Sequence, residues 1–180
     1  MKKTREMILT AIFAALTAVG GFLKVPAGPI SFTMQVFFTC MAGLLLGPYW
    51  GSLSQLIYVL LGLVGLPIFT QGGGLMYVVK PSFGFLIGLI PMAFIVGLLT
   101  RRVSMQLSRP KQFLRLLLAQ TVGLVVLYVI GLPYMYIFLK GAWTIQKTIV
   151  SGCLIFLPFD LLKMVLASLL AVRIRPVLQR

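Results

Sequence analysis

Long apolar runs, separated by short polar or glycine- and proline-rich stretches, constrain this chain more than any other feature. They lie near 7–23, 32–47, 51–66, 83–99, 113–139 and 148–172. A helix needs about 20 residues to cross the roughly 30 Å hydrocarbon core of a bilayer. Hydrophobic residues make up 60% of the chain and charged residues 10%, whereas soluble domains carry about 25% charged residues. The sequence therefore predicts an all-α membrane protein of six transmembrane helices, forming one domain over residues 1–180.

The basic residues predict the orientation of these helices. In the six-helix arrangement, four lysines fall on one side, Lys163 lies inside the last run, and the other basic residues fall on the opposite side. That larger group is Lys2, Lys3, Arg5, Arg101, Arg102, Arg109, Lys111, Arg115, Arg173, Arg175 and Arg180, against Lys24, Lys80, Lys140 and Lys147. Cytoplasmic loops carry the excess of Lys and Arg, so both termini and the 100–112 loop are expected in the cytoplasm. Cations at the ends of apolar runs do not indicate nucleic-acid binding.

Two ionisable residues lie within the last apolar run. Asp160 and Lys163 are three positions apart, which places them on one helical face. A charged group inside a membrane is costly and marks a functional site by default, so the two side chains are expected to offer an acceptor and a donor to one ligand. A structural ion pair between helices is the alternative. Pro158 precedes them and is expected to loosen the helix backbone there.

A glycine-rich segment between the third and fourth runs is the next candidate. Gly73 and Gly74 belong to a run of three glycines, which permits close approach of the backbone to a ligand. Phe69, Met76 and Tyr77 make the segment too apolar for a merely solvated linker, although a flexible linker remains the alternative. Lys80 follows on the same predicted outer side.

Two further features flank the first apolar runs. Thr33 and Gln35 stand at the mouth of the second run, where they either line a pocket or cap a helix. In the first run, small residues four apart permit close helix approach in lipid, within the protein or against a partner. They are Ala11, Ala14, Ala15 and Ala18.

The chain lacks the parts of several kinds of active site. It contains no histidine and two acidic residues in total, so a histidine-based metal site, histidine-assisted nucleophilic catalysis and a pair of catalytic carboxylates are not expected. No GxxxxGK[ST] segment is present to bind ATP phosphates. These features predict a binding protein, not an enzyme, with no cofactor.

Six segments together resemble the biotin-specific S components of energy-coupling-factor importers, the BioY family, in order and spacing. They are PISFTMQ at 29–35, AGLLLGP at 42–48, GLVGLPIF at 62–69, GGG at 72–74, PSFGFLIG at 81–88 and PFDLLK at 158–163. The resemblance covers nearly the whole chain. It implies the S-component fold in a bacterial cytoplasmic membrane, with biotin as the transported ligand. It also implies a transmembrane coupling subunit and two ATPase subunits as partners.

The resemblance gives the candidate residues more definite roles. Asp160 is expected to accept an N–H of the biotin ureido ring and Lys163 to donate to the ureido carbonyl. Phe69, Met76 and Tyr77 would cover the rings, while Lys80 would attract the carboxylate. The alanine pairs of the first run would dock on the coupling subunit. The alternatives are an S component for another vitamin, a stand-alone secondary transporter coupled to protons through Asp160, and a small membrane enzyme.

Overall fold

The computed structural model describes residues 2–27, 30–104 and 106–178. Pro29, Met105 and Arg180, which take part in the motif, loop and charge predictions above, lie outside this range. The helices are α1 (Lys2–Phe22), α2 (Gln35–Leu63), α3 (Phe83–Arg101), α4 (Arg109–Leu139), α5 (Ile145–Ile149) and α6 (Leu157–Leu178), with a 3-10 turn at Leu75–Val79. Strands β1 (Lys24–Ala27) and β2 (Ile30–Thr33) form an antiparallel hairpin.

Five of the described helical segments are long and apolar enough to cross a membrane. They include α1 to α4 and the stretch from Ile145 to Leu178, which comprises α5, a π turn and α6. A helix satisfies its backbone N–H and C=O groups internally, which is the main requirement for a segment surrounded by lipid. The helical prediction is confirmed. The β-hairpin is an addition to it, and the number of crossings stays a prediction.

The second helical segment reverses direction at Gly47. This glycine has φ 80°, and Pro48 follows it inside the segment. The Gln35 side chain donates to the Tyr58 hydroxyl at 2.7 Å, although 23 residues of straight helix would extend about 34 Å. The reversal therefore folds the halves of α2 side by side, and Gly51 packs on the backbone of Ala42 and Gly43.

Polar side chains link the first helices inside the bundle. The Thr39 hydroxyl of α2 donates to the side-chain Oε1 of Gln55 at 2.9 Å, and the side-chain Nε2 of Gln55 donates to the Thr17 hydroxyl of α1 at 3.2 Å. All three residues are fully buried. In lipid, apolar contact gives helices little drive to associate, so such bonds contribute to assembly. The remaining helices pack around this group, α3 against α2 and α4, and α6 against both α2 and α4.

The chain before α6 is irregular in a different way from the prediction. A π turn covers Val150–Leu154, and the Ile155 N–H bonds to the Val150 carbonyl at 3.1 Å. Pro158 is the second residue of α6. The break in α-helical geometry thus begins upstream of the proline, and wide turns of this kind are frequent at functional sites.

Candidate functional site

A buried cavity lies where the first turns of α6 meet β2, α2, α3 and α4. It contains about 610 Å³ of space between atoms, with the open solvent at its mouth included. Its polar wall includes Asp160, Lys163, Gln35, Thr33 and Tyr77, all of which the sequence predicts as ligand-binding residues. The fold therefore brings together residues that lie up to 130 positions apart in the chain.

Asp160 and Lys163, which the sequence predicts as partners of one ligand, form an ion pair at the cavity wall. The Lys163 ammonium lies 2.8 Å from one oxygen of Asp160, and the two residues are 9% and 4% exposed. Tyr128 of α4 donates to the other carboxylate oxygen at 2.7 Å. Asp160 is thereby fixed from two helices.

The pair keeps unused hydrogen-bonding capacity. A carboxylate has about four acceptor positions and an ammonium three donors. Among the described residues, Asp160 accepts two side-chain bonds and Lys163 donates one. An acceptor and a donor therefore remain for a ligand, and this site can be both a structural ion pair and a binding site.

A second polar group lies on the hairpin side of the cavity. Gln35 donates to Tyr58 and accepts from the Thr33 hydroxyl at 3.0 Å. Nearby, the hydroxyls of Thr70 and Tyr77 are 2.9 Å apart, and the Ser82 hydroxyl donates to that of Tyr77 at 3.4 Å. The cavity thus has a charged pair on α6 and neutral donors and acceptors elsewhere in its wall.

Apolar side chains form most of the remaining lining. They include Phe85 and Leu86 of α3, Leu127 of α4 and Phe156 before α6. The Phe32 ring of β2 packs on Phe156 and Phe159, with ring centroids 4.2 and 4.7 Å apart. The hairpin is therefore held against the start of α6, where it contributes Ile30, Ser31 and Thr33 to the cavity.

Several predicted site residues do not line the cavity. A Cβ at Gly73 would lie 2.1 Å from the Leu66 carbonyl oxygen, and the Gly74 N–H bonds to the Gly62 carbonyl at 2.7 Å. These glycines pack the segment onto the end of α2. Met76 is 75% exposed.

Phe69 and Lys80 are placed around Tyr77. Phe69 is 1% exposed, with its ring centroid 4.6 Å from that of Tyr77. The Lys80 ammonium lies 4.8 Å from the Tyr77 ring centroid and donates to the Gln71 carbonyl at 3.0 Å. Of the residues predicted in this segment, Tyr77 alone lines the cavity. Phe69 and Lys80 contact Tyr77 and do not line the cavity.

The alanines of α1 divide between two faces. Ala14 is 5% exposed and belongs to the hydrophobic core, and Ala18 is half-buried against that core. Ala11 and Ala15 are exposed. Ala11 and Ala15, four residues apart, therefore form a small-residue stripe on the exposed face of α1. Ala14 packs inside the bundle.

Apolar helices long enough to span a bilayer, arranged around a buried ion pair and a cavity, define a multi-pass membrane protein with a candidate internal site. Comparison with known proteins identifies the family within this class. The BioY family model matches residues 1–180. The chain belongs to the BioY family.

Individual relatives agree over most of the chain. A probable biotin transporter BioY from Lysinibacillus sphaericus is 42% identical over 82% of this chain and 72% of its own length. The biotin transporter BioY of Thermotoga maritima is 37% identical, covering 95% and 96% of the two chains. A crystal structure of the S-component for biotin from an ECF-type ABC transporter matches with a TM-score of 0.83 and 26% identity, over 97% and 93%. The chain is a transport protein and not an enzyme, as predicted.

Proposed function

We propose that this chain is the biotin-binding S component of an energy-coupling-factor importer and that the cavity beside Asp160 and Lys163 holds biotin. The buried ion pair with spare donors and acceptors carries the proposal. Membership of the BioY family and the likeness to a biotin S component support it.

The chemistry of biotin fits the distribution of polar groups. Its ureido ring has two N–H donors and one carbonyl acceptor. Asp160 accepts one N–H, and Lys163 donates to the carbonyl, because hydrogen bonds to charged groups are the stronger ones. The 2.7 Å bond from Tyr128 keeps the carboxylate in place for this contact.

The other parts of biotin match the rest of the wall. Phe85, Phe156 and Tyr77 cover the fused rings, and the hydroxyl and amide groups of Thr33 and Gln35 bind near the carboxylate end of the tail. Lys80 acts less directly. It raises the positive potential around Tyr77 without lining the cavity. Gly73, Gly74 and Met76 have a structural role in the segment that carries Tyr77.

The same proposal includes six crossings, with both termini inside, in a bacterial cytoplasmic membrane. The side-by-side halves of α2 support counting that segment as two crossings, which brings the five long segments to six. The excess of basic residues at one end supports the orientation. The chain forms one helical domain and works with a coupling subunit and two ATPase subunits, and the absence of a Walker segment from this chain is consistent with ATP hydrolysis by a partner.

Calorimetric titration of the purified, detergent-solubilised chain tests the ligand. Co-purified ligand is first removed, and biotin, thiamine and riboflavin are titrated separately. We expect one-to-one binding of biotin alone. Binding of another vitamin would contradict the biotin assignment and favour an S component of different specificity. Uptake in cells lacking the ATPase subunits, abolished by an uncoupler, would instead indicate a stand-alone proton-coupled transporter.

A further inference from the structure

A second cavity lies at the opposite end of the helices from the proposed biotin site. It is enclosed by the start of α1, the reversal in α2 and the last turns of α3 and α6, and it contains about 1350 Å³ with its opening included. Arg175, in its wall, is 15 residues after Asp160 on α6, which corresponds to about 22 Å along the helix. This cavity is therefore distinct from the first.

Arg175 is a buried cation that lacks a complete set of partners. It is 5% exposed, and one terminal nitrogen donates to the Thr100 carbonyl at 3.0 Å. Its Nε is fully buried and has no hydrogen-bond partner among the described residues. Buried polar groups are nearly always hydrogen-bonded, and an unpaired donor on a charged group is costly. The Arg175 guanidinium therefore keeps N–H donors that no described residue satisfies.

The charges around Arg175 favour an anion. Arg5 and Arg101 also line this cavity, together with one carboxylate, that of Glu6. Three positive charges and one negative charge leave a net of +2. The single ion pair found among the described residues is that of Asp160 and Lys163, so Glu6 neutralises none of these arginines by direct contact.

We propose that this cavity binds a phosphate group, supplied by an anionic phospholipid or by free phosphate. Guanidinium groups bind phosphate through paired N–H donors, and Arg is the preferred residue for that geometry. Tyr49 and Trp50 also line the cavity, as expected of aromatic residues at a membrane interface. Basic pockets between transmembrane helices are known binding sites for phospholipid head groups.

Thermal unfolding of the full chain in detergent, after removal of lipid, distinguishes the sources. In one comparison, dioctanoyl phosphatidylglycerol is added, or dioctanoylglycerol, which has the same tails without phosphate. In a second comparison, sodium phosphate is added, or sodium chloride at equal ionic strength. We expect saturating phosphatidylglycerol to raise the unfolding midpoint by about 5 °C, with no shift from dioctanoylglycerol. An equal rise with sodium phosphate identifies free phosphate as the ligand. No rise with either phosphate compound, or equal rises with both lipids, overturns the proposal.

Two matched pairs of variants locate the effect. Arg101 and Arg102 are adjacent and both exposed, but only Arg101 is in the cavity wall. Arg101→Gln should weaken binding of the phosphate compound about two- to fivefold, whereas Arg102→Gln should leave it unchanged. Arg175→Gln should weaken binding of the phosphate compound at least about tenfold. Arg173 is exposed on the same helix, and Arg173→Gln should leave binding unchanged.

The outcomes remain decisive if one variant is unstable. If Arg175→Gln does not fold, the comparison of Arg101→Gln with Arg102→Gln decides. Equal losses in those two variants would indicate a nonspecific surface charge effect and overturn the site. Unchanged affinity in a folded Arg175→Gln would also overturn it. Biotin titration of Arg101→Gln is the control for intact folding and should match the parent chain.

Discussion

Three donors contact the buried Asp160 carboxylate: the Lys163 ammonium, the Tyr128 hydroxyl and, in our proposal, a ureido N–H of biotin. The first two contacts are 2.8 and 2.7 Å long. A buried ion pair is weak proof of a stabilising role, because the cost of removing both charges from water offsets their attraction. The ion pair and the binding site can therefore be separated by mutation.

Asp160→Asn and the double variant Asp160→Asn with Lys163→Met make this separation. The single variant leaves Lys163 buried without its counter-charge, which costs about 3–5 kcal/mol of stability, and we expect biotin affinity to fall at least about tenfold. The double variant removes that unpaired charge, so stability should recover while biotin affinity stays low. Calorimetry and thermal unfolding measure the two effects. Recovery of biotin affinity in the double variant would contradict the ligand role and favour a structural ion pair.

Tyr128 is a positioning residue in this proposal. Tyr128→Phe removes the hydroxyl that donates to Asp160 and preserves the ring, so we expect biotin to bind about two- to tenfold more weakly, the usual range for one hydrogen bond. Tyr136→Phe, on the same helix but outside the cavity wall, should bind as the parent does. If both variants bind biotin as tightly as the parent chain, Tyr128 has no part in the site.

Sequence reasoning found the site residues whose chemistry is unusual for their surroundings. The charges at 160 and 163 stand out within the last apolar run, and Thr33 and Gln35 stand out at the start of the second. Tyr128 did not, because an aromatic residue within an apolar helix is typical of core packing. Its role is visible only when α4 is placed beside α6. Gly73 and Gly74 were predicted to allow close approach of the backbone to a ligand. The close approach is instead to the backbone of Leu66 and Gly62 at the end of α2.

Among the secondary-structure elements, the long helices were predictable from the sequence. The irregular and non-helical elements were predictable only in part. The apolar runs indicated all the long helices, and the gap between the runs at 32–47 and 51–66 coincides with the reversal within α2 at Gly47. The β-hairpin was missed, although Val25 and Phe32 pair across strands next to proline and glycine residues, which is a recognised hairpin signal. The π turn at Val150–Leu154 has no such local signal, although Gly152 within it packs closely against Leu132 and Met135 of α4.

The exposed face of α1 should contact the coupling subunit through Ala11 and Ala15. Tryptophan at both positions would prevent close approach of a partner helix, so we expect co-purification with the coupling subunit to be lost while biotin affinity is unchanged. Ala14→Trp is the contrasting variant. It overpacks the core, where insertion of extra volume costs about 1–3 kcal/mol or more, and should lower the unfolding midpoint.

Normal assembly of the Ala11→Trp, Ala15→Trp variant would contradict this docking surface. Loss of biotin binding together with assembly would mean that the variant is misfolded. The unfolding midpoint therefore has to accompany the assembly measurement.

For the whole molecule, the number of crossings follows from how α2 is inserted. If its two halves cross separately, the β-hairpin and the 64–80 segment lie on the same side of the membrane. If α2 crosses once, they lie on opposite sides. The bond between Gln35 and Tyr58 favours the first arrangement, because it joins residues from the two ends of α2.

Cysteine labelling in intact cells tests this arrangement. Val25, Gln71 and Ser104 are exposed, and each is replaced by cysteine in a parent carrying Cys153→Ala, with Cys40 retained because it is fully buried. We expect an impermeant maleimide to label positions 25 and 71 from outside and position 104 only after permeabilisation. Labelling of 71 only after permeabilisation would mean that α2 crosses once. Labelling of 104 from outside would reverse the orientation and place the proposed biotin cavity toward the cytoplasm, where it could not capture an external vitamin.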